Sequence, residues 1–219
     1  MAVLYLVRHA QASFGTDDYD RLSELGWQQS RWLGEYFAER GVKFDRVLRG
    51  TLRRHDETVR GIAEGLGAAL APAEDAGLNE YNSHELLAAS GTGAPQGNDR
   101  RAHFRILRET LYAWTEGALA GEAHEKFDAF RSRVLDALYG LQREPGAESV
   151  LVVSSGGPIA TFLSATTGMP PRMMVDLNMQ ARNAGISEFR YNQRAFHFVS
   201  FNNIPHLDRP GRLHAVTYS

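Results

Sequence analysis

Cysteine is absent from all 219 residues, which excludes disulfides, thiol nucleophiles and cysteine-ligated zinc, and suits a reducing compartment. No charge of one sign dominates either. The 24 Lys and Arg are interspersed with 26 Asp and Glu, a formal net charge of −2, so no basic field marks a nucleic-acid or membrane-surface partner. Any anion must therefore be captured by a local arrangement of groups. Long apolar runs are missing too: "MAVLYLVRHA" is cut short by Arg8 and His9, far below the length of a signal peptide or membrane span. A cytoplasmic protein without membrane or nucleic-acid partners is expected. There is also no repeat, low-complexity tract or linker, and 43% hydrophobic residues suffice for one substantial core. We therefore expect a single domain over residues 1–219, with one excursion.

The residues that are present alternate between two patterns. "AVLYLV" (2–7) and "SVLVV" (149–153) are nearly continuous apolar runs, as in strands covered on both faces. From Ser23 to Arg40 the apolar residues recur at helical spacing, with Ser23 as N-cap and Gly41 as stop. "KFDRVLRG" (43–50) predicts a further strand, and residues 52–66, 125–141 and 158–167 predict helices, the last with Pro158 in its first turn. Residues 185–201 alternate like two final strands. The expected architecture is a three-layer α/β/α sandwich around a mostly parallel sheet. From Asn79 to Gly121 the pattern loosens into the expected helical and loop insertion, in which 89–99 have the composition of an exposed loop.

In open parallel sheets, ligands bind just beyond the carboxyl ends of the strands. Two polar tetrads fall there, "VRHA" (7–10) and "SSGG" (154–157). The second combines two hydroxyls with a glycine turn opening a helix, where unpaired N–H groups favour an anion; such turns also serve purely conformational ends. Arg8 and His9 taken alone are equally served by a surface salt bridge and a turn carbonyl. A third stretch, "GTLRRHDET" (50–58), adds Arg53 and Arg54 at another strand end, and several guanidinium forks make a dianion pocket.

Together these stretches resemble the histidine phosphatase superfamily, which includes phosphoglycerate mutases and small phosphomonoesterases. "LVRHAQAS" is similar to its Arg-His-Gly signature, with Ala10 for the glycine. "GTLRRHDETV" (50–59) is similar to Ser-x-Leu-x-Arg-Ala-x-Gln-Thr-Ala, which aligns Arg54 rather than Arg53 with the family's catalytic arginine. "DRLSELGWQQS" (20–30), "GLNEYN" (77–82) and "FNNIPHL" (201–207) resemble further family segments, in the same order along the chain. The resemblance implies His9 as the nucleophile that becomes a phosphohistidine, Arg8 and Arg54 as holders of the phosphoryl oxygens, and Glu80 as acid and base. It implies Ser155, Gly156, Gln11 and Ser13 as substrate-binding residues. No cofactor or metal is implied, and the substrate would be a phosphorylated small molecule or phosphoprotein. Arg53 and His55 are expected at the surface or behind the pocket, His206 in a structural role, and His84 in the pocket only if its segment is helical. His103, His124, His197 and His214 read as surface or packing residues, and Arg100, Arg101, Arg105 and Arg108 as a solvated helix face.

The chain departs from the family pattern at two notable places. A Ser-His-Gly turn after the later strand carries the family's second histidine, and here that position is Ser155. Many members have an asparagine six residues after the nucleophile, where this chain has Gly15. Three functions stay open: a phosphomonoesterase with a modified pocket, a noncatalytic phosphate- or phosphoprotein-binding module, and mutase-type phosphotransfer. Hydrolysis by Ser155 itself is disfavoured, because a nucleophile elbow needs glycine two residues earlier and Val153 stands there.

Overall fold

The computed structural model describes residues 1–13, 20–91, 100–143 and 146–218, with Arg100 described in its backbone only. Gly15, residues 92–99 of the expected loop and the Arg100 side chain lie outside the described residues. Six strands form one sheet: β1 (Ala2–Arg8), β2 (Arg46–Arg49), β3 (Ala73–Glu74), β4 (Ser149–Ser154), β5 (Ile186–Tyr191) and β6 (Phe196–Asn203). Their order is β3-β2-β4-β1-β5-β6. The four strands from β3 to β1 run parallel; β5 lies antiparallel to β1, and β6 antiparallel to β5.

The alternation of side chains along these strands splits the core in two. Val7, Val47, Leu151 and Val153 face α1 (Glu24–Glu39) and α2 (Arg53–Leu66), packing on Leu33, Phe37, Val59 and Ile62. Leu4, Leu6, Leu48, Val150 and Val152 point the other way, into a core shared with α3 (Ser83–Ala89), α4 (Arg100–Thr115), α5 (Phe127–Tyr139), α6 (Gly156–Thr167) and α7 (Met173–Gln180). Period-two strands with apolar residues at every position thus dictate helices on both faces. The result is the α/β sandwich expected, with a mixed rather than wholly parallel sheet. Helix α4 lies within the stretch expected to be an insertion, and its Leu107, Leu111 and Trp114 join the same core as β1 and β4.

Element ends follow local chemistry. Ser23 Oγ accepts from the Gly26 N–H at 3.0 Å and starts α1, while Gly41 at φ +64° turns the chain after it. Strand β2 begins at Arg46, later than expected, because the Asp45 carboxylate accepts the Glu148 and Ser149 N–H groups, both at 2.9 Å, and so ends the turn. Helix α6 opens two residues before Pro158, with Ser155 as its N-cap residue. The two-residue β3 and helix α7 have no counterpart in the sequence expectations.

Candidate active site

The register of β1 on β4 brings the two polar turns together. Arg8 pairs with Ser154, and the His9 N–H donates to Ser154 O at 2.8 Å, so His9 and Ser155 leave the sheet side by side. Strand β2, on the other side of β4, ends at the same level and leads into α2, which supplies Arg54 and His55 from its first turn.

His9 is 3% exposed, and its Nδ1 lies 2.8 Å from Ala10 O. A carbonyl only accepts, so Nδ1 carries the ring proton and Nε2 keeps its lone pair. Burial pushes the His9 pKa well below the ordinary value, and the Arg54 and Arg8 charges push it further, so the ring is neutral. The turn is held by Thr58, whose Oγ1 accepts the Ala10 N–H at 3.1 Å and donates to Arg54 O at 2.7 Å. Ala10 has no left-handed backbone angle, so the residue replacing glycine sits there without strain.

The two arginines of "LRRH" part company. Arg53 is exposed and bonds Glu57 Oε1 at 2.7 Å through Nε, whereas Arg54 is 8% exposed and reaches Asp20 Oδ1 at 2.5 Å through Nη1. Arg8, also 8% exposed, donates from Nη1 to Ala181 O. Glu80 is partly buried; its Oε2 accepts the Gly157 N–H at 3.1 Å. Desolvation raises its pKa, more than the Gly157 N–H and the Arg54 and Arg8 charges lower it. The site therefore gathers a neutral imidazole, two guanidinium groups and a carboxyl whose pKa is raised by burial.

The glycines of the β4 turn make room for other side chains. A Cβ on Gly157 would lie 2.1 Å from Glu80 Oε1, and one on Gly156 would lie 2.2 Å from Asn178 Oδ1. Gln11 is tied to the start of α1, accepting the Ser23 hydroxyl at 2.7 Å, and Ser13 donates its N–H to Arg21 O at 2.9 Å. His84 lies on a helix as its condition required, but it is exposed there. His124, His197 and His214 are exposed as well and His103 is partly buried, so none of these belongs to the buried groups around His9. Arg101, Arg105 and Arg108 are exposed on α4. His206 is fully buried, and burial pushes its pKa down to about 3.

The place of His55 is now decided, and several residues were missed. Of the two positions expected for it, His55 takes the one behind the pocket: it is fully buried, with Nε2 2.8 Å from Ser155 Oγ and its ring centroid 5.8 Å from that of His9. The first turn of α2 carries it under the sheet end. Asp20, Thr58 and Asn178 also shape the site; Asn178 donates to the Tyr81 hydroxyl at 2.8 Å. Of these, Asp20 and Thr58 had a signal, as members of stretches with family likeness, and Asn178 had none. Among the described residues no group of three or more His, Asp or Glu side chains is placed to hold a metal ion. No described helix is long and apolar enough to cross a membrane.

A neutral imidazole and two guanidinium groups gathered at the carboxyl ends of parallel strands are chemically able to bind an oxyanion. The comparisons with known proteins narrow that class: the profile of the Histidine phosphatase superfamily (branch 1) matches residues 4–204, and the chain belongs to that superfamily. Over 173 residues it is 30% identical to the 2,3-bisphosphoglycerate-dependent phosphoglycerate mutase of Rhizobium etli, covering 74% of this chain and 78% of the relative. Among solved structures, a variant of phosphoserine phosphatase from Entamoeba histolytica in complex with phosphoserine superposes with a TM-score of 0.68 at 20% identity, covering 94% of this chain and all of that one. The alpha-ribazole phosphatase of Shigella flexneri gives a TM-score of 0.64 at 22% identity, covering 92% and 96%. These similar proteins are mutases and phosphatases of small phosphorylated molecules.

Proposed function

We propose that the protein is a metal-independent phosphomonoesterase working through a phosphohistidine on His9, with a small phosphorylated metabolite or a phosphoprotein as substrate. The observation that carries this reading is the bond from His9 Nδ1 to Ala10 O at 2.8 Å, because it leaves Nε2 as a neutral nucleophile. In the first step Nε2 attacks phosphorus in line and the bond to the leaving oxygen breaks. Glu80 gives its proton to that oxygen, and burial raises its pKa in the direction that role needs. In the second step the Glu80 carboxylate takes a proton from water, the water oxygen bonds to phosphorus, and the P–N bond breaks to release orthophosphate. Arg8 and Arg54 hold the equatorial oxygens and supply the positive charge that metal ions supply elsewhere. Ser155 and Gly156 line the oxyanion from the β4 turn, while Gln11 and Ser13 belong to the rim.

The leaving group has a natural exit. Glu80 also lines a cleft of about 440 Å³ with Tyr81, Asn82, Leu86, Trp114 and His124, several of them from the 79–121 insertion. Selectivity is therefore assigned to that insertion. A mutase reading is favoured by the Rhizobium etli relative, and a binding-only reading by the hydroxyl at position 155. Hydrolysis of an aryl phosphate in the presence of a chelator tests the proposal. We expect turnover in the parent protein and a loss of about 10⁴-fold or more in His9→Ala; full activity in that variant would sink the nucleophile assignment. Transfer to 3-phosphoglycerate in place of release of orthophosphate would favour the mutase.

A further inference from the structure

We propose that His55 and Ser155 act as one donor, in which the buried imidazole orients the Ser155 hydroxyl so that its hydrogen points at the phosphoryl group on His9. This rests on the phosphomonoesterase reading and adds a positioning residue to it.

Four observations carry the pair. Ser155 and His55 are both fully buried, and the 2.8 Å separation of Oγ and Nε2 is a full-strength hydrogen bond. Ser155 is the N-cap residue of α6, where a serine hydroxyl normally accepts a helix N–H, yet this one makes no capping bond and turns to His55 instead. His55 Nδ1 has no hydrogen-bond partner among the described residues, so the ring's one polar contact is with Ser155. The space for the ring is made by Gly50, where a Cβ would lie 2.3 Å from His55 Nδ1.

The direction of the bond follows from what a phosphoryl oxygen needs. That oxygen only accepts, so Ser155 must give its single hydrogen to it and can only accept from the ring. The Nε2–H tautomer of His55 is then selected, with Nδ1 bare. Desolvation, with the Arg54 and Arg49 charges, keeps the ring neutral, as this tautomer requires. A serine whose oxygen already accepts a bond is a better donor and is fixed in rotation, which removes the cost of orienting it in each turnover.

Sequence order now gains a spatial meaning. Against the pattern Ser-x-Leu-x-Arg-Ala and the Ser-His-Gly turn, the chain has glycine at 50, histidine at 55 and serine at 155. In the fold His55 touches both of the others. The imidazole stands one layer further from phosphorus, and the hydroxyl fills the space between them.

Four variants test the pair on aryl phosphate: His55→Ala, Ser155→Ala, both together, and the exchange His55→Ala with Ser155→His. We expect each single alanine to lower kcat by about 10²-fold with little change in KM, by analogy with the loss of one oriented donor. The double alanine should lose no more than either single one, because the pair is one unit. The exchange should recover kcat to within about threefold of the parent, since it returns a donor to the side nearest phosphorus. Losses that multiply in the double variant, or a His55→Ala kcat within twofold of the parent, would overturn the coupling. If His55→Ala does not fold, His55→Leu, which fills the space and removes the donor, takes its place in every comparison. Failure of the underlying reading shows differently, as a parent without turnover or an active His9→Ala. In that case calorimetric binding of orthophosphate scores the pair: each alanine should weaken it about fivefold without further loss in the double, and equal affinities throughout would overturn it.

Discussion

The turns that end β1 and β4 lie side by side and work in opposite ways. The first carries its own chemistry, with Arg8 and His9 as large polar side chains on consecutive residues. The second brings little of its own beyond the Ser155 hydroxyl. Its residues are small, and each gives way to a group from elsewhere: Gly157 to Glu80, Gly156 to Asn178, Ser155 to His55. A glycine-serine turn in such a pocket is therefore informative through what it admits, and its value has to be looked for in the residues that come close.

That contrast can be broken most strongly at Gly157. A Gly157→Ala side chain would occupy the position of Glu80 Oε1, so kcat should fall about 10²-fold, as in Glu80→Gln, the range of a displaced general acid. The loss should shrink for phenyl phosphates with acidic leaving groups, which need no proton. Full activity in Gly157→Ala beside a crippled Glu80→Gln would show that the close approach has no catalytic value.

A second test uses pH. Turnover needs His9 neutral and Glu80 protonated, and burial moves His9 down and Glu80 up. Activity should persist below pH 6.5, the ordinary histidine value, and decline on the alkaline side through Glu80. Glu80→Gln should abolish that alkaline decline in a kcat profile; an unchanged profile would remove Glu80 from the mechanism. Stability has a related dependence. His9, His55 and His206 bind protons less readily folded than unfolded, so the unfolded chain takes up more protons below pH 6.5. Stability is then full above pH 6.5 and is lost as the pH falls toward the folded values, about 3 for His206. Denaturant titrations should show a shallower acid decline in His206→Leu than in the parent.

The smallest effect concerns the first turn's support. Thr58→Val leaves the Ala10 N–H without its acceptor, which should cost about 1–3 kcal/mol of unfolding free energy. A change below 0.5 kcal/mol, about the level of an ordinary surface substitution, would mean that the turn holds itself.

Much of this was legible in the sequence. Strands β1 and β4 announce themselves because residues buried on both faces are apolar at every position, and Arg8 and His9 stand out because nothing apolar explains them. Arg54 could be told from Arg53 only by likeness to a family pattern; in the fold the two differ because one is buried against Asp20 and the other faces solvent. Which of its two expected places His55 takes was illegible for a physical reason. Its burial depends on Gly50 and Ser155, residues 5 and 100 positions away, and on a helix rotation that polar neighbours conceal. Asn178 sits on α7, whose short run follows two prolines and shows no clear period, and β3 is too short for any pattern to register.

The contrast between the two turns comes down to which one carries the phosphoryl group. Mixing the protein with an aryl phosphate, quenching in alkali and sequencing the peptides by mass spectrometry would locate it. The expected result is an acid-labile, alkali-stable phosphoryl group on His9, attached through Nε2 because Nδ1 is engaged by Ala10 O. A phosphoryl group on Ser155, or turnover with His9 never modified, would contradict it.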